Sequence, residues 1–99
     1  MVGVEEAPSL MSGRYTVVFS RSAQEKFDRF IRSSRKLGEQ IAKAIDRLAV
    51  HPEIGDFLKG EWKGYRKYRT GNYRIIYRIE HSRLIVYIIT IDDRKNVYR

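Results

Sequence analysis

Cysteine is absent from this 99-residue chain, which excludes disulfides and thiolate metal sites and leaves the redox compartment unread. Histidine occurs only at His51 and His81, too few without thiols to build a zinc site. Long apolar runs are missing as well. The longest, Leu84 to Ile89, has the length of a strand and not of a membrane span. The N-terminus has no basic region followed by an apolar core, so it does not read as a secretory signal, and the expected location is cytoplasmic. Acids are missing from one further place. Between Trp62 and Ile79 stand Lys63, Arg66, Lys67, Arg69, Arg74 and Arg78, with no Asp or Glu among them.

What is present fits one small domain with a single core. The formal charge is +8, from 20 Lys and Arg against 12 Asp and Glu. Glu5 and Glu6 lie in the first 13 residues, which hold no base, so the rest of the chain carries +10. An excess of this size favours a polyanionic partner: RNA, DNA or an acidic protein.

Residues 1–13 contain Pro8, Ser9, Ser12 and Gly13 without periodicity and read as a disordered tail, or as an over-long start ahead of Met11. Residues 14–99 read as the domain. Tyr15 to Phe19 is β-branched and aromatic, a first strand. Ser22-Ala-Gln-Glu25 matches a capping box, and Ala23, Phe27, Phe30 and Ile31 follow at helical spacing. A turn at Leu37-Gly38 leads to a second helix with Ile41, Ala44, Ile45 and Leu48 facing inward and Lys43, Asp46 and Arg47 facing out. His51-Pro52 ends it. Residues 53–61 read as a loop. Two strands around Gly71-Asn72 follow, then a turn at His81-Ser82 and a strand from Leu84 to Ile91 whose apolar residues on both faces suit a central, fully covered place. A polar tail starts at Asp92. The predicted fold class is α+β: an N-terminal strand, an antiparallel helical hairpin on one face, then a three-stranded antiparallel meander, all strands in one sheet.

The Gly71-Asn72 pair suits a two-residue hairpin loop. With that loop, Thr70 faces Tyr73, Arg69 faces Arg74, Tyr68 faces Ile75 and Lys67 faces Ile76. Alternation then puts Tyr65, Lys67, Arg69, Arg74, Ile76 and Arg78 on one face. Like charges directly opposite each other destabilise a sheet. A hairpin that sets Arg69 against Arg74 without a nearby carboxylate is built for an external anion, with nucleic acid the leading candidate. Tyr65, Tyr68, Tyr73 and Tyr77 read chiefly as core and sheet-surface residues, Trp62 as structural, and both histidines as surface residues.

Three segments resemble the RelE/ParE superfamily of bacterial and archaeal toxins. They are Phe19-Ser-Arg-Ser-Ala23 with a helical hairpin closing on Leu48-Ala-Val-His-Pro52; Leu58-Lys-Gly60 leading through Gly64-Tyr65 to Arg69-Thr-Gly-Asn-Tyr-Arg-Ile-Ile-Tyr77; and Arg94-Lys-Asn-Val-Tyr98. The resemblance implies the toxin of a type II toxin–antitoxin pair. Its RelE branch is similar to a cofactor-free, metal-free ribonuclease that enters the ribosomal A site and cuts messenger RNA, leaving a 2′,3′-cyclic phosphate and a 5′-hydroxyl. Its ParE branch poisons DNA gyrase, and a catalytically dead member would serve only as an antitoxin-binding module. The RelE-like endonuclease is the favoured expectation. The implied partners are the ribosome with its messenger and a short acidic RelB-like antitoxin that wraps the toxin into a hetero-oligomer; no membrane is implied.

Residue by residue, the resemblance assigns catalysis to Lys67, Arg74, Arg94 and Tyr98, and RNA binding to Arg69, Tyr65, Arg78 and Lys63. Arg74 would act on the scissile phosphate, where bidentate guanidinium geometry suits phosphate oxygens. Arg94 would stabilise charge or act near the leaving group. Tyr98 would be base or stacking platform, and Lys67 an alternative proton carrier. Many relatives carry histidine where this chain has Asp93. With Asp92 before it, that leaves two carboxylates beside Arg94 that either pair with it or, for Asp93, serve as a base.

Overall fold

The computed structural model describes residues 14–93; the expectations for residues 1–13, Arg94 and Tyr98 lie outside the described residues. The elements run β1 (Thr16–Phe19), α1 (Arg21–Ser33), α2 (Arg35–Val50), β2 (Asp56–Phe57), β3 (Arg66–Thr70), β4 (Tyr73–Glu80) and β5 (Ile85–Asp93), with 3₁₀ turns at Pro52–Ile54, Gly60–Trp62 and His81–Arg83. The strands form one sheet in the order β1-β5-β4-β3-β2. Among the described residues only the β1–β5 pair is parallel. This is the predicted α+β class with its meander. It gains β2, a two-residue edge strand inside the segment expected to be loop, because Asp56 and Phe57 pair with Lys67 and Arg66.

Both helices begin on serine. The Ser20 hydroxyl accepts from the Ala23 amide at 3.0 Å and donates to the Ile89 carbonyl at 2.7 Å. It therefore caps α1 and anchors it to β5 at once, so the helix starts ahead of the predicted Ser22 cap. Ser34 ends α1 and caps α2, accepting from the Leu37 amide at 3.2 Å. The expected turn at Leu37-Gly38 is thus the first turn of α2. Gly38 is there for contact: a Cβ would sit 3.1 Å from Ile31 Cα and 3.0 Å from its Cγ1. Ile31 spends itself on this crossing and is otherwise exposed, so it does not join the core as its spacing predicted.

The core lies between the helices and one face of the sheet. Ala23, Ile41, Ala44, Ile45 and Leu48 meet Ile75, Tyr77, Val86, Ile88 and Ile91. Burial contributes about 1.5–3 kcal/mol for each large aliphatic side chain. β5 is central, as its composition predicted, but only one of its faces is packed by helices: Val86, Ile88 and Ile91 are buried, while Ile85, Tyr87 and Ile89 are half-buried.

A β-bulge in β5 matters for the opposite face. Ile76 pairs with Thr90 and Tyr77 with Ile88, leaving Ile89 as the extra residue. Plain alternation from Val86 and Ile88 would send Thr90 and Asp92 into the core. The bulge turns them to the open face and brings Ile91 inward. Asp92 and Asp93 thus belong to β5 and not to the polar tail.

Candidate functional site

The predicted hairpin register is the observed one: Arg69 lies opposite Arg74, Lys67 opposite Ile76, and Thr70 opposite Tyr73. Gly71 supplies the turn with φ of 62° at its first central position, where a side chain is disfavoured. From α2, Gln40 Nε2 donates to the Thr70 carbonyl at 2.9 Å and fixes the hairpin end. The face away from the helices therefore carries Lys67 and Arg69 on β3 and Arg74, Ile76 and Arg78 on β4. Ile76 is only 4% exposed although it lies outside the helix-facing core. It forms an apolar floor among cations.

None of Lys67, Arg69, Arg74 or Arg78 joins an ion pair among the described residues. Arg74 is the most constrained of them. Its Nε is buried and has no hydrogen-bond partner among the described residues. An unsatisfied buried donor costs about 1–3 kcal/mol. Asp92 is the cross-strand neighbour of Arg74 on β5, yet its carboxylate is bonded elsewhere: Lys26 Nζ of α1 lies 2.8 Å from Asp92 Oδ1 and 3.0 Å from Thr90 Oγ1. The Thr90 hydroxyl also donates to Asp92, at 3.1 Å, the second contact to that carboxylate. Sequence reading missed Lys26, since a lysine on an amphipathic helix looks like any solvated side chain.

The other predicted residues divide. Arg78 places its guanidinium 4.4 Å from the centre of the Tyr87 ring, its cross-strand partner, which leaves its N–H groups unspent. Tyr65 and Lys63 precede β3 and are outside its ladder with β4; the Tyr65 ring meets Trp62 edge-on at 5.3 Å. Arg66 is structural. Its Nη1 donates to the carbonyls of Gly55 and Glu53 at 2.9 and 3.2 Å, and its guanidinium lies 3.9 Å from the centre of the Phe57 ring. His81 accompanies Tyr15 at the far turn, 3.2 Å from ring nitrogen to hydroxyl, and His51 ends α2. Both histidines are exposed, as predicted.

Several surface clefts lie on or near this hairpin. One of about 390 Å³ is lined by Ile54, Asp56, Lys67, Tyr68 and Arg69, so it opens directly beside the cationic strip. A larger one of about 540 Å³ lies under Phe57, Leu58, Lys59, Gly60, Lys63 and Gly64. It is mainly apolar and holds no guanidinium, whereas the smaller cleft brings Lys67 and Arg69 together with the carboxylate of Asp56, the cross-strand partner of Lys67.

Behind the strip, Tyr77 holds β4 to the chain leading into β2. Its buried hydroxyl donates to the Pro52 carbonyl at 2.6 Å and accepts from the Gly55 amide at 2.9 Å. Burial pushes the phenol above its ordinary pKa, against smaller opposing contributions from the Gly55 hydrogen bond and the Arg66 charge. Gly55 has to be glycine here, because a Cβ would stand 2.7 Å from the Lys67 carbonyl oxygen.

Comparison with known proteins places this geometry in a lineage. A family model described as the ParE toxin of the type II toxin–antitoxin system parDE matches residues 17–98. Toxin RelG of Mycobacterium tuberculosis is 31% identical over 86 residues, covering 86% of this chain and 97% of that protein. The RelBE2 toxin–antitoxin complex of the same organism contains a chain of 30% identity that superposes with a TM-score of 0.70, covering 82% of this chain and 99% of its own. The isolated Escherichia coli RelE toxin, at 21% identity, shares the fold with a TM-score of 0.68, covering 85% of this chain and 90% of its own. By the extent of the family match and the identity to its relatives, the chain belongs to the ParE toxin family of type II toxin–antitoxin systems, within the RelE/ParE superfamily.

Proposed function

We propose that this toxin is a ribosome-dependent messenger endonuclease that works without a metal or other cofactor. The observation that carries the reading is the Arg69–Arg74 pair, set face to face with no ion-pair partner among the described residues while Asp92, the carboxylate opposite Arg74 on β5, is held by Lys26. In this reading a 2′-hydroxyl loses its proton and attacks the adjacent phosphorus. The new O2′–P bond forms as the P–O5′ bond breaks, and the 5′-oxygen takes up a proton as it leaves. Arg74 and Arg69 stabilise the charge that develops on the phosphate, where fixed donors act most strongly. Lys67 binds the strand or carries a proton. Arg94 and Tyr98, the remaining members of the motif, would complete the charge stabilisation and the base.

An acidic antitoxin is the natural silencing partner for such a strip, and the related RelBE2 structure is itself a toxin–antitoxin complex. Cytoplasmic action follows from a ribosomal target, and no described helix is long and apolar enough to cross a membrane.

The description of the matched family model favours a second reading, inhibition of DNA gyrase. Induction in cells separates the two. The endonuclease halts translation and leaves 5′-hydroxyl cuts in ribosome-bound messengers. Linearised DNA with covalently attached protein, and intact messengers, would establish the gyrase reading instead.

A further inference from the structure

The hold of Lys26 on Asp92 has a role of its own on the open face. Asp92 is the cross-strand partner of Arg74, and a carboxylate in that place is the obvious internal rival of a phosphate for the guanidinium. No ion pair joins the two. The carboxylate is instead held at 2.8 Å by Lys26 and at 3.1 Å by the Thr90 hydroxyl, and Lys26 bonds Thr90 as well, at 3.0 Å. The three side chains close a triangle.

The geometry that builds this triangle is specific. β1 pairs with β5 only as far as Ile88, and α1 leaves the sheet there through Ser20, which is bonded to Ile88 and Ile89. Beyond that point β5 has no strand beside it on the β1 side among the described residues. Lys26, in the second turn of α1, reaches Thr90 and Asp92 at this exposed length of strand. The bulge at Ile89 turns both residues to the face of Arg74. Without the bulge, Asp92 would point inward; without Lys26, it would lie beside an unpaired guanidinium.

Resting on the reading of the strip as a phosphate site, we propose that Lys26 is a positioning residue: it sequesters Asp92 and thereby keeps Arg74 open to the RNA backbone. Lys26 and Asp92 are 32% and 30% exposed at their side chains, so the pair is a weak contributor to stability, as partly solvated pairs are. Its importance is in what it prevents. When Lys26 is lost, Asp92 turns to Arg74 and occupies it.

The test is a substitution pair read by binding of the full chain to a labelled single-stranded RNA oligonucleotide across a salt series. Lys26→Met weakens binding, and the log–log salt slope becomes shallower by about 0.7, one phosphate contact on a single strand. Adding Asp92→Asn to Lys26→Met restores both affinity and slope, because the rival carboxylate is gone. Lys26→Arg keeps parental binding. Thermal melting confirms that each variant is folded.

If Lys26 instead touches RNA itself, Lys26→Met weakens binding and Asp92→Asn fails to rescue it, which overturns the proposal. Parental binding by Lys26→Met also overturns it. Arg74→Met is the control for the underlying reading. If it leaves RNA binding unchanged, the phosphate site falls along with the role of Lys26. If it weakens binding while the double variant stays weak, only the role of Lys26 falls.

Discussion

Arg69 and Arg74 stand directly opposite one another across the β3–β4 ladder, and neither has an ion-pair partner among the described residues. Their mutual repulsion and the unsatisfied Arg74 Nε both raise the energy of the free protein. A site kept at such a cost trades stability for ligand binding. Arg74→Met keeps the aliphatic stem and removes the charge. It should leave the melting temperature unchanged or higher while lowering ribosome-dependent cleavage on the order of 10²–10³-fold, the scale for losing one fixed donor to a transition-state oxyanion. Parallel loss of cleavage and melting temperature would make Arg74 a structural residue.

Affinity for RNA should depend strongly on salt. Lys67, Arg69, Arg74 and Arg78 are the cations that β3 and β4 present on the open face, and four phosphate contacts on a single strand give a log–log slope of about −2.8. Nitrocellulose or fluorescence titrations over a range of salt concentrations measure it directly. A slope near zero would mean that this face does not bind phosphates.

Arg66 is the contrasting case within the same basic run. Its guanidinium serves two backbone carbonyls and the face of Phe57, so its charge is already committed. Arg66→Ala should therefore lower the free energy of unfolding measured in urea by about 1 kcal/mol, since one lost acceptor is part-buried and the other exposed. Cleavage per folded molecule should stay near that of the parent. The opposite pattern, with stability intact and cleavage lost, would move Arg66 into the site.

These two arginines also mark how far the sequence could be read. The hairpin register followed from one Gly-first turn and strict alternation, which is why Arg69 opposite Arg74 was legible from residues alone. The core stripe of α2 was legible for the same reason, a period set by covalent geometry. Arg66 and Lys26 did not stand out from solvated cations because their partners are two backbone carbonyls and a bulge-displaced aspartate far along the chain. The helix start at Ser20 was hidden similarly: its hydroxyl answers to β5 as well as to its own helix. β2 escaped because two residues have no period, and it exists only through its pairing with β3.

Tyr77 provides the last prediction, since it connects the back of the strip to the pH dependence of stability. Its hydroxyl is the shared partner of Pro52 and Gly55, both buried contacts at 2.6 and 2.9 Å. Tyr77→Phe keeps the ring and leaves both backbone groups unpaired, so it should cost about 1–3 kcal/mol in urea unfolding at neutral pH. The folded phenol has a raised pKa, so above about pH 10 the unfolded chain loses this proton first. The contribution of Tyr77 is thus complete below pH 10 and declines as pH climbs through the folded value. The stability difference between parent and Tyr77→Phe should narrow over that alkaline range. A difference that stays constant there would mean that the phenol ionises equally well in both states. It would then lack the burial that ties the Pro52–Gly55 segment, and with it β2 and the Lys67 edge of β3, to the centre of the sheet.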